Sequence, residues 1–350
     1  MAETRRTAGN GAMLLVMLTS RFPARVPVIV LLAIAAGALT IAACGAFGRA
    51  GASTGGPLRT GAVAGAASSS ARSHFVVLMM ENREYNQVIG VPQSAPYINT
   101  LARHYTLATN YYAITHPSLP NYIALVAGDP LGINSDCTAC VAQGPNVADQ
   151  LQSAGLGWRA YMQDIPTPCY VLPGAADTPG GGGYAKKHDP FAYFPQIATA
   201  PARCANIVPL TQLTTDISHH ALPPFVWITP NICNDGHDCS TQTADNYLRG
   251  FVPSVLGALG PHGVLALVWD EGTTGSGCCR LATGGHVVLV LAGHDVRHGG
   301  RVTAATDHYS LLRLIEDSFG LRHLRGAGCG CTHSLASAFR NGRSPHLKGH

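Results

Sequence analysis

Ser118 sits in the segment of this chain best suited to nucleophilic chemistry, Thr115-His116-Pro117-Ser118-Leu119-Pro120-Asn121-Tyr122. The apolar run Ile123-Ala124-Leu125-Val126-Ala127 follows and Gly128 ends it, so the pattern predicts a helix beginning at the serine. Pro120 fits the first turn, where its missing N–H costs nothing, and Ser118 falls where an N-cap belongs. A hydroxyl there faces unpaired backbone N–H groups and the positive end of the helix dipole, a good seat for a phosphate or another oxyanion. Alone, Ser118 reads as an ordinary cap. Acidic residues elsewhere change that reading.

Glu81-Asn82-Arg83 follows an apolar run at 75–80, and Asp270-Glu271-Gly272 follows one at 264–269. A third run, at 225–229, leads to Asn231 and then to Asn234-Asp235-Gly236-His237-Asp238. Glu81, Asn82, Asp270 and Glu271 are hard oxygen donors suited to a divalent cation of unspecified identity, and histidine tilts such a site toward zinc or another transition metal. Alone, Glu81-Asn82 reads as the opening of a turn and Asp270-Glu271 as a solvated loop. Together, at the ends of buried strands, they need a partner, and a cation supplies one. The chain has 16 histidines, so most must be structural or superficial. His188, in Lys186-Lys187-His188-Asp189-Pro190-Phe191, and His237 fall in loops where the acids emerge. His286, opening a strand, and His308, in Thr306-Asp307-His308-Tyr309-Ser310, follow as phosphate contacts or supports behind them.

Bringing these groups together requires strands that end side by side. Continuous apolar runs at 75–80, 158–162, 225–229, 264–269 and 287–291 lack alternation and fit strands covered on both faces. Helical patterns lie at 97–104, 146–153, 245–259 and 308–319. The expected architecture is a single α/β domain over 73–340, with a central, mostly parallel sheet flanked by helices. Ligands of such sheets bind beyond the carboxyl ends of the strands, where the acids lie. Residues 129–209 break the pattern with Gly180-Gly181-Gly182-Gly183, several prolines and the aromatics Tyr184, Phe191 and Tyr193. They read as a loop excursion that shapes the pocket.

Composition agrees: 46% hydrophobic against 12% charged residues in 350 supplies a sizeable core. The net charge of +4 is scattered without a basic block, which argues against nucleic acid as a partner. Residues 1–44 read as an export signal: Arg5, Arg6, Arg21 and Arg25 precede an apolar run at 28–43. Its end, Ile41-Ala42-Ala43-Cys44, resembles the lipobox of bacterial lipoproteins, in which case Cys44 carries a lipid anchor to the membrane. A plain secretory signal or an uncleaved anchor is the alternative, and either way the product is exported, to the cell surface or beyond. Residues 45–72, rich in Gly, Ala, Ser and Thr, suit a flexible tether.

Of 11 cysteines, setting Cys44 aside leaves an even number, which export favours as disulfides. Cys137 is near Cys140, and Cys233 near Cys239; adjacent Cys278 and Cys279 are expected to reach elsewhere, toward Cys329 and Cys331. A zinc site from Cys137-x-x-Cys140 and Cys329-Gly-Cys331 is the competing arrangement.

In this order, segments 76–83, 115–122, 187–191, 234–239, 269–272, 284–290 and 306–317 resemble the phosphoesterase family of acid phosphatases and bacterial non-haemolytic phospholipases C, within the alkaline-phosphatase-like superfamily. The resemblance runs from about residue 74 to 320. It implies Ser118 as nucleophile, a divalent metal on Glu81, Asn82, Asp270 and Glu271, and His188 and His237 touching the phosphate or protonating the leaving group. Asn82, Lys187, His286 and His308 are the expected substrate contacts. The phospholipase branch usually carries a threonine nucleophile and a long C-terminal extension. Ser118 and the early end of this chain place it nearer the acid phosphatases. The expectation is an exported, metal-dependent acid phosphatase acting on small phosphomonoesters through a phosphoserine, with a phospholipase C-like phosphodiesterase as the alternative.

Overall fold

The structure, a computed structural model, describes residues 73–178 and 181–347. The expected export signal, Cys44 anchor and tether lie outside the described residues. In chain order the strands are β1 (Phe75–Met80), β2 (Thr106–Ala108), β3 (Tyr111–Tyr112), β4 (Trp158–Met162), β5 (Ile207–Pro209), β6 (Phe225–Thr229), β7 (Val264–Trp269), β8 (Leu289–Ala292), β9 (Arg301–Val302) and β10 (Thr306–Asp307). The helices are α1 (Pro96–His104), α2 (Ser118–Ala127), α3 (Val147–Ser153), α4 (Pro195–Ala198), α5 (Pro201–Cys204), α6 (Thr211–Ser218), α7 (Thr241–Ala258) and α8 (His308–Phe319).

One sheet of eight strands runs β5-β4-β6-β1-β7-β8-β2-β9, and β8 alone among them opposes its neighbours. β3 and β10 form a small parallel pair. The fold is thus a mostly parallel α/β domain with flanking helices, α2 packed on α8 and α1 on α7. Every residue of β1, β6 and β7 is buried, which is why their sequences are apolar without alternation. Register then decides the chemistry. Met80 pairs with Trp269, so Glu81 and Asp270 leave the sheet side by side, with Asp270 N–H donating to Met80 O at 3.0 Å.

Four expected strands coincide with β1, β4, β6 and β7. The fifth begins at Leu289, because the preceding residues turn to the small sheet: Val287 N–H donates to Tyr111 O at 2.9 Å. α7 starts at Thr241, four residues early, since the Ser240 side chain accepts from Thr243 N–H and caps it. The 129–209 excursion holds short 3-10 turns, α4 and α5, and also β5, a three-residue edge strand too short to show periodicity.

Ser118 is the first helical residue of α2 and Pro117 its N-cap. Asn121 organises the turn instead: its Oδ1 accepts from Ile114 and Thr115 N–H, and its Nδ2 donates to Thr115 O and Pro117 O. Gly128 ends the helix in the left-handed region, as expected; a Cβ there would lie 2.4 Å from Leu324 O. The late cysteines also pair differently from the expectation. Cys278 bonds to Cys279 and Cys329 to Cys331, alongside Cys137–Cys140, Cys169–Cys204 and Cys233–Cys239. The sulfurs proposed for zinc are therefore engaged. Among the described residues, no helix is long and apolar enough to cross a membrane.

Glu316 gives the fold a pH-dependent weak point. Burial on α8 pushes its carboxyl up to about 8, although Leu324 N–H donates to Oε1 at 2.8 Å. The unfolded carboxyl releases its proton at ordinary acidic pH while the folded one retains it, so stability falls as pH rises from about 4.5 to 8. Glu316→Gln keeps an acceptor for Leu324 and removes that penalty. Thermal melts should show the variant more stable than wild type by about 3 °C or more at pH 8, and by little near pH 4.5.

Candidate active site

Three chain segments converge beyond the carboxyl ends of β1, β6 and β7, opposite the first turn of α2. Glu81 follows β1 and is fully buried; its backbone N–H donates to Asp235 O at 3.0 Å, drawing in the loop after β6. Asn82 takes a left-handed conformation (φ 53°), which asparagine tolerates, and its N–H donates to Asp270 Oδ1 at 3.0 Å. The 272–285 loop closes over Glu84. Glu84 accepts from Thr273 N–H, the Thr274 hydroxyl and His286 N–H at 2.8–2.9 Å. Gly285 (φ +99°) has to be glycine, since a Cβ would lie 2.7 Å from the Gly272 Cα.

Ser118 Oγ is buried and stands between two carboxylates, 3.1 Å from Glu81 Oε2 and 3.2 Å from Glu271 Oε1. Tyr122, one helical turn on, donates its hydroxyl to Glu81 Oε1. His116 Nδ1 meets Glu271 Oε2 at 2.5 Å, and its Nε2 meets Thr274 O at 3.0 Å. His188 lies 3.2 Å from Glu81 Oε1 through Nε2 and 3.4 Å from Asp235 Oδ2 through Nδ1, and stacks on Tyr122. Lys187 Nζ reaches Asp136 Oδ2 at 3.0 Å and His237 Nε2 at 3.2 Å, while His237 Nδ1 pairs with Asp238 at 2.6 Å.

The electrostatics are those of crowded acids. Burial, then the charges of Asp270 and Asp235, raise the Glu81 carboxyl well above its ordinary range. Burial and Glu271 push Asp270 up to about 7. Burial likewise raises Asp235 and Glu271. His188 is driven the other way, first by burial and then by Lys187 and His237, and stays neutral. Asp270 Oδ2, Asp235 Oδ2 and both His188 ring nitrogens are buried without a hydrogen-bond partner, the 3.2 and 3.4 Å approaches of His188 being poorly aligned. One donor atom each from Glu81, His188 and His237 lies within 4.8 Å of the others. Clustered carboxylates, a neutral imidazole and orphaned acceptors are what a divalent cation would satisfy, so the residues present fit one.

Of the residues singled out in the sequence, Ser118, Glu81, Asp270, Glu271, His188, His237 and Lys187 are brought into one neighbourhood, and the Asn82 backbone joins them. His286 and His308 stand apart. The His286 ring stacks between Tyr85 and Tyr112, and its Nε2 faces Thr109 O. His308 is fully buried, pushed down to about 4 by burial, and spends both nitrogens on Asp270 O and the Tyr111 hydroxyl. It thus reaches the cluster only by holding the Asp270 backbone. Asp235, Tyr122, His116 and Asp136 were not anticipated. Asp235 and Tyr122 lie inside segments already quoted, but only the folded chain shows them facing Glu81 and His188.

Residues 91–322 match the model of the Phosphoesterase family; Glu81 and Asn82 precede that span. The chain is 28% identical to a probable acid phosphatase of Kluyveromyces lactis, over 73% of this chain and 60% of that protein. It is 31% identical to a phosphatidylinositol-3-phosphatase of Mycobacterium tuberculosis, over 71% of this chain and 77% of that one. The match to the acid phosphatases thus spans about 60% of their length. In fold it is similar to a Vibrio parahaemolyticus protein of the alkaline phosphatase superfamily (TM-score 0.50, 11% identity, covering 76% of this chain and 72% of that one).

Proposed function

Because the chain belongs to the phosphoesterase family, we propose that it is an exported, metal-dependent phosphomonoesterase of the acid-phosphatase type, working through a phosphoserine at Ser118. The observation that carries the reading is the Ser118 hydroxyl held between two buried carboxylates at a helix N-terminus. As Oγ attacks phosphorus, its proton passes to Glu81 or Glu271, the bond to the leaving oxygen breaks, and that oxygen takes a proton from His237 or water. Water then attacks the phosphoserine, releasing inorganic phosphate and restoring the hydroxyl. The first-turn amides of α2 and the Lys187 ammonium supply positive charge to the phosphoryl oxygens. A divalent cation on Glu81, Asn82, Asp270 and Glu271 would lower the pKa of the serine hydroxyl and shield phosphoryl charge. His188, kept neutral, adds a nitrogen ligand or a phosphate contact. The disulfides support export.

Steady-state rates on p-nitrophenyl phosphate and bis(p-nitrophenyl) phosphate test this reading, with the monoester expected to be preferred by about tenfold or more. A clear preference for the diester would shift the proposal to the phospholipase C-like alternative. Lys187→Met removes the ammonium facing His237 and should raise KM for the monoester about tenfold or more, with a smaller change in kcat.

A further inference from the structure

Asp136 holds two donors that a phosphoryl group at Ser118 would use. Its Oδ1 accepts from Leu119 N–H, the amide next to the serine, at 3.0 Å. Its Oδ2 accepts from Lys187 Nζ, also at 3.0 Å. A carboxylate spanning a first-turn amide and an ammonium presents two oxygens and one negative charge where phosphate would present the same. A neutral side chain would cap α2 equally well. Asp136 instead adds a fifth acid beside Glu81, Asp235, Asp270 and Glu271, and its charge acts on Glu271.

We propose that Asp136 is an internal competitor for the substrate phosphoryl group, a residue that sets affinity for phosphomonoester and for inorganic phosphate. This rests on the phosphoesterase reading above. In the resting protein its carboxylate occupies the seat. When phosphate arrives, Leu119 N–H and Lys187 transfer to it and the Asp136 side chain, 29% exposed, turns to solvent. The neighbouring Cys137–Cys140 bridge ties the loop, so the exchange involves the side chain and not the loop backbone. Returning to its donors, the carboxylate also helps expel the phosphate product.

Calorimetric titration of the metal-loaded protein with inorganic phosphate tests this without requiring turnover. Asp136→Asn keeps an acceptor for Leu119 and removes the competing charge. It should bind phosphate about tenfold more tightly than wild type, and KM for p-nitrophenyl phosphate should fall similarly with kcat within about threefold. Asp136→Ala should shift both constants in the same direction. If Asp136 serves only to hold Lys187 in place, phosphate binding weakens and kcat/KM drops; either that or unchanged affinity overturns the proposal. A wild-type protein that binds phosphate but turns over no monoester would instead sink the phosphoesterase reading.

Discussion

Ser118→Ala should lower kcat on p-nitrophenyl phosphate by about 10⁴-fold or more while the protein folds and melts as wild type does. The size of the loss follows from what the hydroxyl does. In the proposed mechanism Oγ forms the bond to phosphorus, and an alanine leaves the carboxylates, helix amides and lysine able to bind substrate but nothing to attack it. KM should accordingly change little. Stability should hold because Ser118 contributes no cap to α2; Asn121 ties that turn together. The Tyr122 hydroxyl, which donates to Glu81, is fully buried behind it and cannot substitute. Activity within tenfold of wild type would remove Ser118 from the mechanism.

Asp270→Asn should have the second largest effect, and in two opposite directions. In the metal-loaded enzyme it removes one carboxylate of the expected cation site, and turnover should fall about 10³-fold or more; chelation of the wild type should do the same. In the metal-free protein the same change should stabilise. Asp270 is fully buried, and burial with Glu271 holds its carboxyl near 7 instead of 3.8. For a carboxyl raised in the folded state, the cost is absent below about 4, grows as pH rises, and is complete above about 7. Asparagine keeps the oxygen that accepts from Asn82 N–H and discards the charge. Melts of chelated protein at pH 5 and 8 should therefore show wild type losing stability toward pH 8 and the variant losing less. A variant less stable than wild type at both pH values would mean that Asp270 does not stand among repelling acids.

What the sequence revealed and what it hid follow one physical division. β1, β6 and β7 were legible because strands buried on both faces must be apolar throughout, and the residues that follow then stand out in the sequence as an abrupt polar change. That change pointed to Glu81, Asp270 and Glu271. Features that depend on register or on packing between distant segments were not legible. Nothing local in Asp235 shows that its loop hydrogen-bonds to Glu81 N–H, and nothing in Asp136 shows that it reaches α2 and Lys187. The shift of the N-cap from Ser118 to Pro117 has a similar origin, because the turn before α2 is held by Asn121 through bonds to Ile114, Thr115 and Pro117 that no local pattern shows. Cys278 and Cys279 are expected to part, since adjacent cysteines rarely pair; here the turn places Cys279 in the left-handed region (φ 59°), next to Ala305 and Thr306, and the two are bonded together. His286 and His308 stood beside expected elements, but aromatic stacking and burial committed their rings elsewhere.

The central claim is that substrate phosphorus is attacked by a protein hydroxyl before water reaches it. The stereochemical course of phosphoryl transfer from an isotopically chiral phosphomonoester to an alcohol acceptor tests it most directly. Two successive in-line displacements, the first by Ser118, predict net retention at phosphorus. Net inversion would show a single displacement and contradict the phosphoserine account.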